Sequence, residues 1–150
     1  MQPLAGTTIL TDIPRPIVAG GHIWTAFVLP PFVTTDATPT TPEFLSFAMA
    51  PGTSLSVLVE GYATADDGSM FEYNARNAWV RTLLGVSSRV GTSAGVQTNV
   101  GNTFPPPAAT RPKVTFNDPA ATHTAGPIFT GRDGTEITWL VTAFLQRRDI

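Results

Sequence analysis

The chain has 150 residues, of which 13% are Lys, Arg, Asp or Glu, and its formal net charge is −2. Soluble domains usually have about 25% charged residues, so much of this surface is uncharged, and 23 threonines, 14 prolines and 13 glycines take the place of charges. The composition excludes an overall basic field for nucleic acid and a membrane-spanning run of roughly 18–20 apolar residues. The absence of cysteine also excludes disulfides and thiolate metal sites.

Alternation of apolar and polar residues with a period of two predicts a chain made mostly of β-strands. The candidates in chain order are Thr7–Ile13, Gly21–Leu29, Ser54–Thr64, Ser69–Asn74, Lys113–Asn117 and Thr135–Arg147. The turn Asp66-Asp67-Gly68 joins the third and fourth candidates and predicts a β-hairpin. The last candidate has one wholly apolar face from Ile137 to Leu145 and a second face with Leu140 and Phe144, which predicts a central strand.

The segment Asn74–Gly85 fits two structures. It forms a short helix if Asn74 is the N-cap and Gly85 the stop, with Ala75, Ala78, Trp79 and Leu83 on one face. It can equally continue the sheet, and the sequence does not decide between the two.

Two long segments, about 30–51 and 90–112, are rich in proline and glycine. Proline removes a backbone donor, so these segments are not central strands. Structureless segments of this length are uncommon in compact domains unless they have a function. Because they are largely uncharged and contain Phe and Leu, we expect them to be arms that lie on their own domain or on a neighbouring subunit.

These patterns predict one all-β domain over residues 1–150, a β-sandwich or Greek-key barrel with about six to nine strands, extended arms and at most one short helix. A chain of this length buries enough surface to fold as one domain.

No catalytic or cofactor motif accompanies this fold. Neither His22 nor His123 has a second histidine at a ligand spacing, so we predict ordinary hydrogen-bonding histidines, no metal and no cofactor. A histidine triad with Asp12, Asp118 or Asp133 would need a nucleophile motif that the sequence does not contain. The prediction is a protein that is not an enzyme.

Glu60 and Glu72 can face each other across the hairpin, the arrangement that a glycosidase needs. Arg76 and Arg81 are close enough in sequence to pair with them, and we favour ion pairing over catalysis. Aromatic residues can also form a sugar-stacking face. The candidates are Trp24, Trp79 and Trp139, with Tyr62 and Tyr73. Trp24 and Trp139 lie in apolar strands and are predicted to be core residues, whereas Trp79 is the best candidate for exposure.

The arginines suggest contact with protein, because Arg is enriched at interfaces where Lys is depleted, and this chain has eight Arg and one Lys. Two of the three long uncharged stretches, Phe44–Val59 and Val90–Thr110, fall largely in the predicted arms. The residues predicted to contact another subunit are Phe32, Phe44, Phe47, Phe104, Arg76, Arg81, Arg89, Arg147 and Arg148.

In its low charge, its Thr, Gly and Pro content, its lack of cysteine and its proline-stiffened arms, the chain resembles small virion proteins of tailed bacteriophages, and most of all the capsid decoration or cement proteins. The resemblance implies a homo-oligomer in the virion that binds coat protein or other virion subunits and stabilises the lattice, without nucleic acid, membrane or small-molecule ligand. The alternatives are another phage component, such as a tail or connector protein, and a carbohydrate-binding β-sandwich module of an adhesin or receptor-binding protein.

Overall fold

The alternating segments form strands in the computed structural model, which describes residues 15–19, 22–90, 96–100 and 110–150, with side chains for 25–90 and 110–150. The strands are β1 (Arg15–Ala19), β2 (His22–Val28), β3 (Phe32–Thr34), β4 (Phe47–Ala48), β5 (Thr53–Ala65), β6 (Met70–Arg81), β7 (Ser87–Arg89), β8 (Val96–Val100), β9 (Lys113–Phe116), β10 (Thr124–Ala125), β11 (Pro127–Thr130) and β12 (Ile137–Asp149). A 3-10 turn, η1 (Glu43–Leu45), lies between β3 and β4. The all-β prediction is confirmed, with more strands than expected. The candidate Thr7–Ile13 lies outside the described residues.

Eight strands form one antiparallel sheet with the order β1-β2-β12-β5-β6-β7, in which β3 also pairs with β12 and β8 with β6. Strand β12 pairs along its whole length with β5, from Ile137↔Ala65 to Asp149↔Thr53. Its other edge pairs with β2 and β3. The predicted central strand is therefore confirmed.

The segment that fitted either a helix or a strand continues the sheet as far as Arg81. It belongs to β6, which pairs with β5 from Thr64↔Met70 to Thr53↔Arg81. The side chains of Tyr73, Ala75 and Trp79 alternate into the core, as a strand requires. The predicted hairpin is also confirmed, and Gly68 provides the positive φ of 86° in its turn.

One face of the large sheet is covered by a second layer, and the core lies between the two. The layer consists of the pairs β10–β4 and β11–β9 with the chain around them. The inner face of the sheet and the covering layer share one apolar cluster of buried residues: Leu29, Leu45, Phe47, Met49, Leu55, Val57, Val59, Ala63, Phe71, Tyr73, Ala75, Trp79, Val114, Phe116, Ala125, Phe129, Ile137, Trp139, Val141 and Ala143. The opposite face of the sheet is the outer face.

The predicted arm at 30–51 lies on its own domain: β3 joins the large sheet, and the chain after β3 forms part of the second layer. Leu45 is fully buried and Met49 is 3% exposed. Thr40 exchanges two backbone hydrogen bonds with Phe129, at 2.9 and 2.8 Å. Between β2 and β3, the three residues Leu29–Pro31 stand opposite two residues of β12, so Pro30 and Pro31 occupy a bulge where a sheet tolerates proline.

Candidate functional site

The turn Thr82–Val86, which joins β6 to β7 and which we call the apolar tip, exposes three apolar side chains. Leu83 is 78% exposed, Leu84 95% and Val86 63%. The Thr82 N–H donates to the Val86 carbonyl and the Gly85 N–H to the Thr82 carbonyl, both at 2.9 Å. Gly85 adopts a φ of 90°, which favours glycine. This closed turn directs both leucines outward.

Arg81 holds the apolar tip against the rest of the domain. Its Nε donates to the Gly85 carbonyl at 3.2 Å, and its Nη1 donates to the Met49 carbonyl at 2.7 Å. The Gly52 N–H donates to the Arg81 carbonyl at 2.9 Å from the other side. The tip is therefore a formed surface, whose leucines need little ordering when they meet a partner.

Four of the five predicted interface arginines, Arg81, Arg89, Arg147 and Arg148, lie at the same end of the sheet as this tip, and we call them and the tip the basic end. Arg81 and Asp149 both lie opposite Thr53, so the ends of β5, β6 and β12 meet there. Arg147 and Arg148 are exposed near the end of β12. Arg89 is half-buried and donates to the Phe116 carbonyl at 3.3 Å. Pairing across strands brings together arginines that are far apart in the sequence.

The predicted interface phenylalanines differ in how far they are exposed. Phe44 is 60% exposed and Phe47 only 8%. Phe32 packs between Phe129 and Trp139, with ring centroids 5.3 and 6.2 Å away. Phe47 lies in the chain's own core, and the half-buried Phe32 packs against that core. Less of either ring than of Phe44 is therefore open to another subunit, and their interface contacts stay predictions. Phe104 lies outside the described residues.

The fifth arginine, Arg76, lies on the outer face near a groove of about 350 Å³. The groove is lined by Glu60, Gly61, Tyr62, Glu72, Tyr73, Asn74 and Thr142. The register pairs Glu60 with Asn74 and Tyr62 with Glu72, so the two carboxylates are diagonal neighbours on one face.

Of the two arginines predicted to pair with these carboxylates, only Arg76 is close to them in the register. Arg76 lies opposite Leu58 and is thus diagonal to Glu60 on the same face. Arg81 donates to the Met49 and Gly85 carbonyls at the basic end. Its predicted pairing with Glu60 or Glu72 is wrong, because β6 extends straight and carries Arg81 away from the groove.

The predicted exposure of Trp79 is wrong, and the core position of Trp139 is confirmed. Both indoles are fully buried. Trp79 Nε1 donates to the Asn117 carbonyl at 3.2 Å, and Trp139 Nε1 donates to Thr34 Oγ1 at 2.9 Å. Among the residues whose side chains are described, Tyr62 of the outer face is an exposed aromatic residue, at 44%.

His123 links the second layer to the sheet through three hydrogen bonds. Its Nδ1 lies 2.7 Å from Ser87 Oγ, its N–H donates to the Pro119 carbonyl at 2.8 Å, and its carbonyl accepts from the Met49 N–H at 2.9 Å. Its φ of 54° is uncommon outside glycine. Ser87 is 3% exposed, so its hydroxyl is enclosed rather than presented to a substrate. This histidine therefore has a structural role.

Across the part of the chain with described side chains, no three His, Asp or Glu residues are grouped closely enough to hold a metal ion. No helix among the described residues is long and apolar enough to cross a membrane. The side chain of His22 is outside the described ones.

No protein-family model, curated protein or solved structure matches this chain.

Proposed function

We propose that this chain is a non-enzymatic structural protein of a virion, of the decoration or cement type, which stabilises a coat lattice through contacts between subunits. The observation that carries the proposal is the apolar tip. Leu83 and Leu84 are 78% and 95% exposed on a turn that Arg81 holds in place. Exposed apolar groups rimmed by polar residues mark interaction sites.

The energetics of the tip favour this use. Burial of a leucine side chain contributes about 1.5–3 kcal/mol, and a formed turn loses little conformational entropy on binding. Arg147 and Arg148, which are exposed at this end, place positive charge where it can attract a neighbour's carboxylates. The low charge content and the resemblance to small virion proteins agree with a protein that functions within an assembly.

The experiment uses empty shells assembled from the major coat protein of the same genome, and measures co-sedimentation of the purified protein. We expect saturable binding that the double variant Leu83→Ser, Leu84→Ser weakens by at least about tenfold, which corresponds to 1.4 kcal/mol. The matched control is Tyr62→Ser, which removes an exposed aromatic residue from the outer face and should retain binding. Shells that bind neither the native protein nor the control contradict the proposal.

A carbohydrate-binding role is the second candidate, and the outer groove favours it. Tyr62 offers an exposed ring for stacking, and Glu60, Glu72 and Asn74 offer hydrogen-bonding groups for sugar hydroxyls. We expect a bound glycan to shift the NMR signals of the groove and the variant Tyr62→Ala to lose binding. Tryptophan fluorescence of the buried Trp79 is a poor readout. A flat response to a broad glycan panel eliminates this candidate.

A further inference from the structure

The end of the sheet opposite the apolar tip carries five carboxylates, and we call it the acidic end. They are Asp36, Asp66, Asp67, Asp133 and Glu136. The Asp66 N–H donates to the Glu136 carbonyl at 3.2 Å, which places these two exposed residues side by side. Asp133 Oδ1 accepts from the Ala37 N–H at 2.9 Å and so joins the Asp36 loop to the same end.

Carboxylates dominate this end but are not its only charges. Arg132 lies near enough to Asp67 to lower the pKa of that carboxyl, after the larger effect of the hydrogen bonds from Ser69. Arg111, Lys113 and Arg132 line a neighbouring cavity with Asp133. Five carboxylates thus outnumber three cations. At the basic end four arginines outnumber two carboxylates, Asp149 and Asp118, the second of which lies in the loop that accepts hydrogen bonds from Arg89 and Trp79.

The two charged ends cannot neutralise each other within one molecule. They are separated by β12, whose 13 residues span roughly 40 Å as an extended strand. Salt at physiological strength screens charges beyond about 8 Å. Each end therefore presents its own sign of charge to other molecules.

The acidic end also has apolar surface that suits the tip. Val33 is 52% exposed and Met70 is 40% exposed. Both lie near this end, since Val33 pairs with Thr138 and Met70 with Thr64. Leu83 and Leu84 can pack there inside a rim where arginine meets carboxylate. Contact between two tips would instead bring like charges together, which is unfavourable.

We infer that the apolar tip of one copy docks on the acidic end of a second copy, so that the protein associates head to tail. The inference rests on the proposed function, because it takes the tip for a subunit contact. Head-to-tail contacts generate a ring when the rotation closes and a filament when it does not. In either assembly the docked tips are covered by other copies, and many equivalent remaining surfaces meet the lattice. Loss of the tip contact then weakens shell binding through loss of avidity.

A charge swap tests the direction of the contact. The first variant, Arg147→Glu with Arg148→Glu, makes both ends of the molecule acidic. The second variant, Asp66→Lys with Glu136→Lys, makes both ends basic. All four positions are exposed, so folding should be retained, and circular dichroism checks it.

Sedimentation velocity at low ionic strength is the measurement. We expect the native protein to associate, each variant alone to associate at least about tenfold more weakly, and an equimolar mixture of the two to recover association, because each acidic end then meets a basic one. Raising the salt to about 0.5 M should weaken association of the native protein. The variant Leu83→Ser, Leu84→Ser should also be weakened.

Three results overturn the inference: a native protein that stays monomeric up to about 1 mM, variants that each associate as well as the native protein, or folded variants whose mixture does not associate. The failure of the inference is distinguishable from that of the proposed function. A monomeric protein that binds coat shells through Leu83 and Leu84 retains the proposed function and loses the inference. Head-to-tail association without shell binding retains the inference and contradicts the proposed function.

Discussion

At the scale of single residues, Gly61 and Tyr73 form an arrangement that depends on the absence of a side chain. They are directly paired across β5 and β6. The Tyr73 hydroxyl donates to the Leu140 carbonyl of β12 at 2.8 Å. A Cβ on Gly61 would collide with that carbonyl oxygen and lie 3.0 Å from the Tyr73 hydroxyl, and Gly61 has a φ of 153°. Burial also raises the pKa of Tyr73, so the phenol stays a neutral donor.

We therefore predict that Gly61→Ala destabilises the fold by several kcal/mol, since both the backbone conformation and the space oppose a methyl group. Gly68→Ala is the matched control. Gly68 also has a positive φ, of 86°, but nothing lies within 4 Å of an added Cβ. It should cost only about 1–2 kcal/mol. Urea unfolding measures both, and equal losses would contradict the role assigned to Gly61.

Asp67 gives the second prediction at this scale. Hydrogen bonds from Ser69 lower the pKa of the Asp67 carboxyl, as those from Thr38 do for Asp36. A lowered pKa in the folded state adds stability that is fully present above the usual aspartate value of about 3.9 and is lost as the pH falls through the lowered pKa.

We predict that Asp67→Asn, which keeps an acceptor oxygen but removes the charge, reduces the loss of stability below about pH 4. Chemical unfolding of both proteins from neutral to acid pH checks this. If the free energy of unfolding falls equally with pH below about pH 4 in the native protein and in the variant, Asp67 contributes nothing to the acid sensitivity.

At the scale of elements, the segment from η1 to β4 determines whether the sheet has a covered face. The longer segment 30–51, to which it belongs, resembles an arm in its prolines and low charge, yet between η1 and β4 alternate side chains point into the core. Leu45 is fully buried, whereas its neighbour Phe44 is 60% exposed. The Gly126 backbone packs so closely on the Leu45 carbonyl that a Cβ at Gly126 would overlap it.

We predict that Leu45→Ala lowers the free energy of unfolding by about 2–5 kcal/mol, as for other buried leucines. Phe44→Ala, one residue away, should change it by less than about 0.5 kcal/mol. Thermal and urea unfolding of the two variants measure the difference. If Leu45→Ala is as mild as Phe44→Ala, the segment is an arm rather than a layer of the domain.

At the scale of the whole molecule, the sheet is organised around β12, which comes late in the chain. It pairs with β5 on one edge and with β2 and β3 on the other. Its alternating residues Ile137, Trp139 and Ala143 are fully buried. The middle of the sheet is therefore incomplete until this strand is available, and such distant pairings favour slow folding.

We predict that a chain that stops at Glu136 does not fold, because β5 and β2 lose their shared neighbour and the core loses Trp139. Circular dichroism and amide dispersion in an NMR spectrum should show an unfolded chain. Removal of Ile150 alone, which is 60% exposed, should leave the native spectrum. A folded, cooperative fragment 1–136 would contradict the central role of β12.

Local sequence patterns predicted only part of the candidate site. The arginines of the basic end were identifiable because their residue type and scarcity of lysine are properties of the sequence. The leucines of the tip were not, because Leu83 also fitted the buried face of a short helix. The sequence signal for an exposed leucine was the pair Leu83-Leu84 between Thr82 and Gly85. Two neighbouring residues at a turn cannot both face one core.

The sequence by itself determined the all-β class, the buried faces of β5 and β12 and the hairpin between β5 and β6. These follow from alternation and turn residues, which act between neighbours in the chain. Only the tertiary structure decided that the chain from η1 to β4 covers the sheet, that Trp79 is buried, and that arginines and carboxylates collect at opposite ends. Those features depend on which strands pair and in what register, and that choice is made by distant residues competing for one core.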